Sequence, residues 1–153
     1  MAKQRKPKFG AKPHPEKRPR YNDPCFDDGH PLAWRFSACD KGGPFAWSIP
    51  SDAKFREVLE KFHEFEGKSW NDITAGGSHP IEVHELEKPA RDRLIQIERD
   101  DLDELMSFRI TATNRVWCDR SGHLMRVLWW DPDHRVYIVP KDPNDRKKKS
   151  RRR

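Results

Sequence analysis

Apolar residues recur at two different periods along the chain. In "AWRFSACDKGGPFAWSI", Trp34, Phe36 and Ala38 alternate with Arg35, Ser37 and Cys39. The chain then turns at Asp40–Gly43 and resumes with Phe45 and Trp47, which predicts a strand pair or a strand with a bent return. The period lengthens in "PSDAKFREVLEKFHEFEG". There Phe55, Val58, Leu59, Phe62 and Phe65 form one apolar stripe at helical spacing, and His63 lies off it. Ser51 is placed as the N-cap, Asp52 suits the positive start of the helix, and Gly67 suits its end.

Trp70 and Ile73 predict a helical turn packed on that first helix, followed by the loop "GGSHP". "PARDRLIQIERDDLDEL" predicts a further helix, with Pro89 in its first turn and Ala90, Leu94 and Ile97 at helical spacing. From Leu105 the period falls to two. Met106, Phe108 and Ile110 face one side, and Ser107, Arg109 and Thr111 the other. "NRVWCD" and "HLMRVLWWD" form a hairpin about Arg120-Ser121-Gly122, and "RVYIV" predicts a last short strand beyond the Asp131–Asp133 turn. Helices first and an antiparallel meander afterwards make an α+β fold, with the helices expected on one face of the sheet.

Charge divides the 153 residues into three parts. Residues 1–20 carry +7, residues 141–153 carry +6, and residues 21–140 carry −7. Both ends contain proline and almost no apolar side chains, so neither can bury enough surface to offset the entropy of ordering. The expected organisation is a basic, proline-rich disordered arm (1–30), one α+β domain (31–140) and a basic disordered tail (141–153). Basic arms favour polyanions, nucleic acid above all, although "KKKSRRR" also fits a solvated tail. No N-terminal apolar run reads as a signal peptide, and no stretch approaches the roughly 18 apolar residues of a membrane span. Cys25, Cys39 and Cys118 are odd in number and irregularly spaced, so a cytoplasmic protein with reduced thiols is expected. Cys25, His30 and Cys39 lack paired C-x-x-C spacing, so no metal site and no cofactor are expected.

The polar residues able to converge lie on the last strands: Arg109, Arg115, His134 and Tyr137. Arginine holds a non-bridging phosphate oxygen, histidine transfers a proton near neutrality, and tyrosine stacks on a base or donates a hydrogen bond. Each also has a structural explanation. The arginines can pair with carboxylates of "ERDDLDE", His134 can close a turn that Asp131 caps, and Tyr137 can be a half-buried strand residue. Trp129 and Trp130 point to opposite faces of a strand, so one belongs to the core and the other needs a cover, which an arm, a partner or a stacked base would supply. His79 and His84 are weaker candidates.

The segment "LMSFRITATNRVWCDRSGHLMRVLWWDPDHRVY" resembles the C-terminal half of the RelE/ParE-like toxins of bacterial type II toxin–antitoxin systems. "SFRI", the Arg115-Val116 strand after a polar turn, and the apolar strand ending near His134 and an aromatic carry the resemblance over residues 105–137. It implies a RelE-like scaffold and a metal-independent mRNA endonuclease, ribosome-dependent or free. In that chemistry the RNA 2′-hydroxyl attacks the adjacent phosphate and leaves a cyclic phosphate. The resemblance also implies RNA, the ribosome and a cognate antitoxin as partners. Arg109 and Arg115 would contact phosphate, His134 would transfer the proton, and Tyr137 would stack on or orient the substrate. Lys147, Lys148, Lys149, Arg151, Arg152, Arg153 and Trp129 would bind RNA. A non-catalytic nucleic-acid- or protein-binding module on the same scaffold is the competing expectation, favoured by the acidic body.

Overall fold

The computed structural model describes residues 30–139. Both basic arms, with Lys147–Lys149 and Arg151–Arg153, lie outside the described residues. The elements run β1 (Ala33–Arg35), α1 (Asp52–Glu66), α2 (Trp70–Ala75), β2 (His79–Glu82), a single 3-10 turn (Val83–Glu85), α3 (Lys88–Gln96), β3 (Glu104–Arg109), β4 (Arg115–Ser121) and β5 (Leu124–Asp131). The fold is α+β. Its five strands form one sheet in the order β1-β5-β4-β3-β2. β3, β4 and β5 pair antiparallel, as the meander pattern predicts, and β2 adds to them antiparallel along the free edge of β3. β1 departs from it by running parallel to β5, which makes the sheet mixed.

Helix α1 begins and ends where its caps predict. The Ser51 side chain accepts from the Lys54 N–H at 3.2 Å, and the Gly67 N–H donates to carbonyls of the last turn. Its stripe is narrower than expected. Val58, Phe62 and Phe65 are buried, whereas Phe55 and Leu59, on one flank of the stripe, are about half exposed. With α2, which contributes Ile73, they pack on Met106, Phe108, Ile110, Val116, Cys118, Met125 and Val127. Trp34 stacks on Phe62, their ring centroids 4.1 Å apart.

The helices do not share one face. Leu105 and Trp117, adjacent in sequence to Met106 and Val116, point the other way and meet Ala90 and Leu94 of α3, together with Phe45, Ile81, Leu86, Leu128, Trp129 and Val136. Both faces of the sheet are therefore covered. The sequence pattern hides this second layer because α3 is nine residues long and its apolar side is only a few side chains wide. The expected helix through Leu105 stops at Gln96: Glu98 adopts φ 57°, and the Arg99 N–H closes on the Leu94 carbonyl at 2.8 Å. The acidic run that follows opposes the negative end of a helix, so nothing favours extension.

Three further expectations change. Strand β2 incorporates His79 and Pro80 from the predicted "GGSHP" loop; as an edge strand it tolerates a proline. Phe45 and Trp47 do not form a return strand. Their loop lies along β5 instead, with the Asp40 N–H donating to Leu128 O and the Trp130 N–H to Phe45 O. The register between β4 and β5 slips at Trp117/Cys118, so Leu128 and Trp129 both point into the α3-side core. "RVYIV" is not a strand either, because the N–H groups of Arg135 and Val136 go to the Asp131 carboxyl at 2.8 and 2.9 Å rather than to a neighbouring strand. Cys39 and Cys118 are free thiols. Among the described residues no helix is long and apolar enough to cross a membrane.

Candidate nucleic-acid site at the end of the sheet

Strands β3, β4 and β5 end in one row. Arg109 faces Arg115 across the β3–β4 ladder, and Arg115 faces Asp131 across β4–β5. Directly opposed residues share a face, with Cβ atoms about 4.5–5.5 Å apart, so the two arginine stems start side by side. Like charges in this position destabilise an antiparallel pair. The structure keeps them there all the same.

Arg115 is buried. Its Nη1 donates to the carbonyls of Thr111 (2.7 Å), Asn114 (3.0 Å) and Ala112 (3.4 Å), so half of the guanidinium fork holds the 110–114 turn. Burial and the neighbouring Arg109 lower its proton affinity, with Asp131 working the other way. Among the described residues no carboxyl forms an ion pair with it. Arg109 is exposed, and among the described residues nothing pairs with its guanidinium. Its backbone N–H donates to Ser78 Oγ at 2.9 Å, which ties β3 to the start of β2. Neither arginine is therefore neutralised by the carboxylates of "ERDDLDE".

His134 sits three residues beyond β5 at φ 56°, a left-handed conformation that non-glycine residues seldom take. Asp131 makes that turn possible. Its Oδ1 and Oδ2 accept the N–H groups of Arg135 and Val136, and Trp117 Nε1 approaches Oδ2 at 3.4 Å. The expected cap is present. Asn114 secures the other limb: its Nδ2 donates to Pro132 O at 2.8 Å, and its Oδ1 accepts Lys54 Nζ at 3.1 Å. Burial holds the His134 imidazole below its ordinary pKa, and Arg115 adds to this, as His79 does more weakly; Asp131 opposes them. The balance favours the neutral ring.

The structure also places His79 and Asn114 near the row, although the sequence marks His79 only weakly and Asn114 not at all. His79 pairs with Ser107 in the register next to Arg109, and its Nδ1 lies 3.2 Å from Gly77 O. It was obscured by a glycine- and proline-flanked segment that does not look like a strand. Nothing in the composition distinguishes Asn114 from any other turn asparagine.

Two expected site residues are placed elsewhere. Tyr137 is half-buried and packs against the α3-side core, away from the arginine row. Trp129 is fully buried and its Nε1 donates to Asp40 Oδ2 at 3.0 Å, so it has no face on which a base could stack. Trp130 is buried as well, its Nε1 without an acceptor. The expectation that one of the pair is exposed fails because α1 and Trp47 cover the Trp130 face of β5, and α3 and Phe45 cover the Trp129 face. His84 is exposed beside Glu82, away from the row. Among the described residues no three His, Cys, Asp or Glu side chains cluster with the geometry of a metal site.

Comparison of the chain with family models, curated proteins and solved structures finds no match.

Proposed function

We propose that the chain is a RelE-like endoribonuclease acting on mRNA, the toxin of a type II toxin–antitoxin pair that works in the cytoplasm. The observation that carries this is the opposition of Arg109 and Arg115, with no carboxyl among the described residues paired to either, beside His134, whose surroundings favour the neutral imidazole. Two cations held together at the end of a sheet are stabilised when an anion arrives, and a phosphodiester is an anion with geminal oxygens suited to guanidinium donors.

In the proposed step, the neutral imidazole of His134 accepts the proton of the RNA 2′-hydroxyl. The 2′-oxygen then bonds to phosphorus and the bond to the 5′-oxygen breaks. A 2′,3′-cyclic phosphate remains, and the leaving 5′-oxygen takes a proton from solvent. Arg109 contacts the non-bridging oxygens directly. Arg115, half committed to the 110–114 turn, adds positive field as charge grows on the phosphate.

The non-catalytic binding module is the second reading. It is favoured by the placement of Tyr137 and by the commitment of Arg115 Nη1 to backbone carbonyls. Primer extension on an mRNA in a bacterial cell-free translation reaction separates the two. His134→Asn is the informative variant, because asparagine accepts the left-handed backbone that His134 adopts. Cuts made by the wild type and absent with the folded variant support the ribonuclease; no cuts from either protein leave the binding module.

A further inference from the structure

Beside Arg109 the surface sinks into a groove of about 160 Å³ between the C-terminal half of α1, α2 and the end of β3. Phe65, Ile73 and Ile110 line its floor, yet they are 5%, 1% and 3% exposed, so they offer an occupant almost no apolar area. The groups that an occupant would meet are the heads of Lys61, Lys68 and Arg109, with the carboxyls of Glu64 and Asp72. Glu64 Oε2 lies 2.9 Å from Lys61 Nζ and 3.6 Å from Lys68 Nζ, holding both ammonium groups on the rim. Asp72 is engaged by Ser69, whose Oγ donates to it at 2.6 Å.

Arg109 connects this groove to the arginine row. Gly77 lies at φ +95°, and a Cβ there would come within 3.2 Å of Arg109 Cδ and Nη1. The missing side chain lets Arg109 lie against the loop backbone and reach the rim. A guanidinium carries five donors in a planar fork, enough to contact two neighbouring anions from its two edges.

We infer that the groove is a second phosphate subsite, holding the backbone phosphate next to the one at Arg109 and Arg115. It takes a ribose-phosphate rather than a base, since polar side chains, three of them cationic, make up most of its lining. The identity of the polyanion as RNA rests on the ribonuclease reading; the phosphate chemistry does not. Glu64 plays against the occupant, because its carboxyl faces the same space.

The test uses the full chain and a short, unstructured, fluorescein-labelled RNA, with binding followed by anisotropy as NaCl is raised. Losing one single-strand phosphate contact makes the slope of log affinity against log salt shallower by about 0.7. Lys61→Ala/Lys68→Ala should show that change together with a several-fold loss of affinity. Glu64→Gln should tighten binding. Lys88→Ala, on a lysine of α3 paired with Asp92, should match the wild type. Equal slopes and affinities for the wild type and the double variant would overturn the subsite, as would an equal loss in Lys88→Ala. Cleavage is read on the same samples. A slope change in a protein that cuts no RNA retains the subsite and removes the ribonuclease; intact cleavage with equal slopes removes the subsite alone.

Discussion

Two buried carboxyls, Asp40 and Asp131, lie near arginines on the α3 side of the sheet, and they treat those arginines oppositely. Asp40 accepts Arg93 Nε at 2.8 Å and Nη2 at 2.7 Å in a two-pronged pair, then the Gly42 N–H and Trp129 Nε1. Burial pushes the Asp40 carboxyl upward in pKa, but the donors from Arg93, Gly42 and Trp129 outweigh it and hold it below the usual carboxylate range. Both Asp40 oxygens are engaged, and the pair fastens the 36–49 loop to α3 and β5. Asp131 instead gives both oxygens to backbone N–H groups, leaving Arg115 beside Arg109 with no ion-pair partner among the described residues. A satisfied pair is what a fold needs to hold its layers. An unsatisfied pair of cations disfavours the folded chain slightly and becomes useful once an anion binds.

The sharpest way to break this comparison is to remove a partner on the structural side. Asp40→Ala leaves Arg93 and Trp129 Nε1 without their acceptor and should cost about 3 kcal/mol, read from urea or thermal unfolding, with no selective loss of RNA affinity per folded molecule. Arg115→Met should be next. It frees three turn carbonyls and removes the buried charge, costing about 2 kcal/mol, and it should abolish cleavage as well.

A pH series sharpens the difference further. His134 has a depressed pKa in the fold, so the unfolded chain takes up its proton first as pH falls. The resulting stability is fully present above the ordinary histidine value near 6.5 and is lost as pH drops through the lower folded value. Between about pH 7.5 and 5 the wild type should lose more stability than His134→Asn, by a small margin because solvent screens much of the imidazole. Cleavage should be level above about pH 6.5 and decline on the acid side, where the imidazole can no longer accept a proton. Arg109→Gln should show the smallest stability effect, within about 0.5 kcal/mol of wild type, with any change in the stabilising direction because a like-charge opposition is relieved.

These contrasts also show what the sequence makes legible. Helix α1 and strands β3 to β5 follow from strong periodicity and from caps whose chemistry is local: Ser51, Gly67 and Gly122. The opposition of Arg109 to Arg115 follows from the same alternation, once the 110–114 turn is recognised. The other features depend on partners distant in the chain. A carboxyl at Asp131 that draws in two N–H groups stops "RVYIV" from being a strand, although its residues favour one. Trp129 is a core residue because Asp40, 89 positions away, accepts its N–H. The second helical layer rests on Ala90 and Leu94, too few apolar positions to announce a covered face. Pro80 and two glycines mask the edge strand that carries His79.

The most direct test of the central claim joins stability and chemistry in one variant. RNA cut in a translation reaction by the wild type and by Arg109→Gln is analysed for 2′,3′-cyclic phosphate ends, and both proteins are melted in parallel. The expected result is cyclic ends from the wild type and none from Arg109→Gln, with matching melting temperatures. Undiminished cleavage by Arg109→Gln, or wild-type products without a cyclic phosphate, would contradict an arginine row built to hold a phosphodiester during attack by its own 2′-hydroxyl.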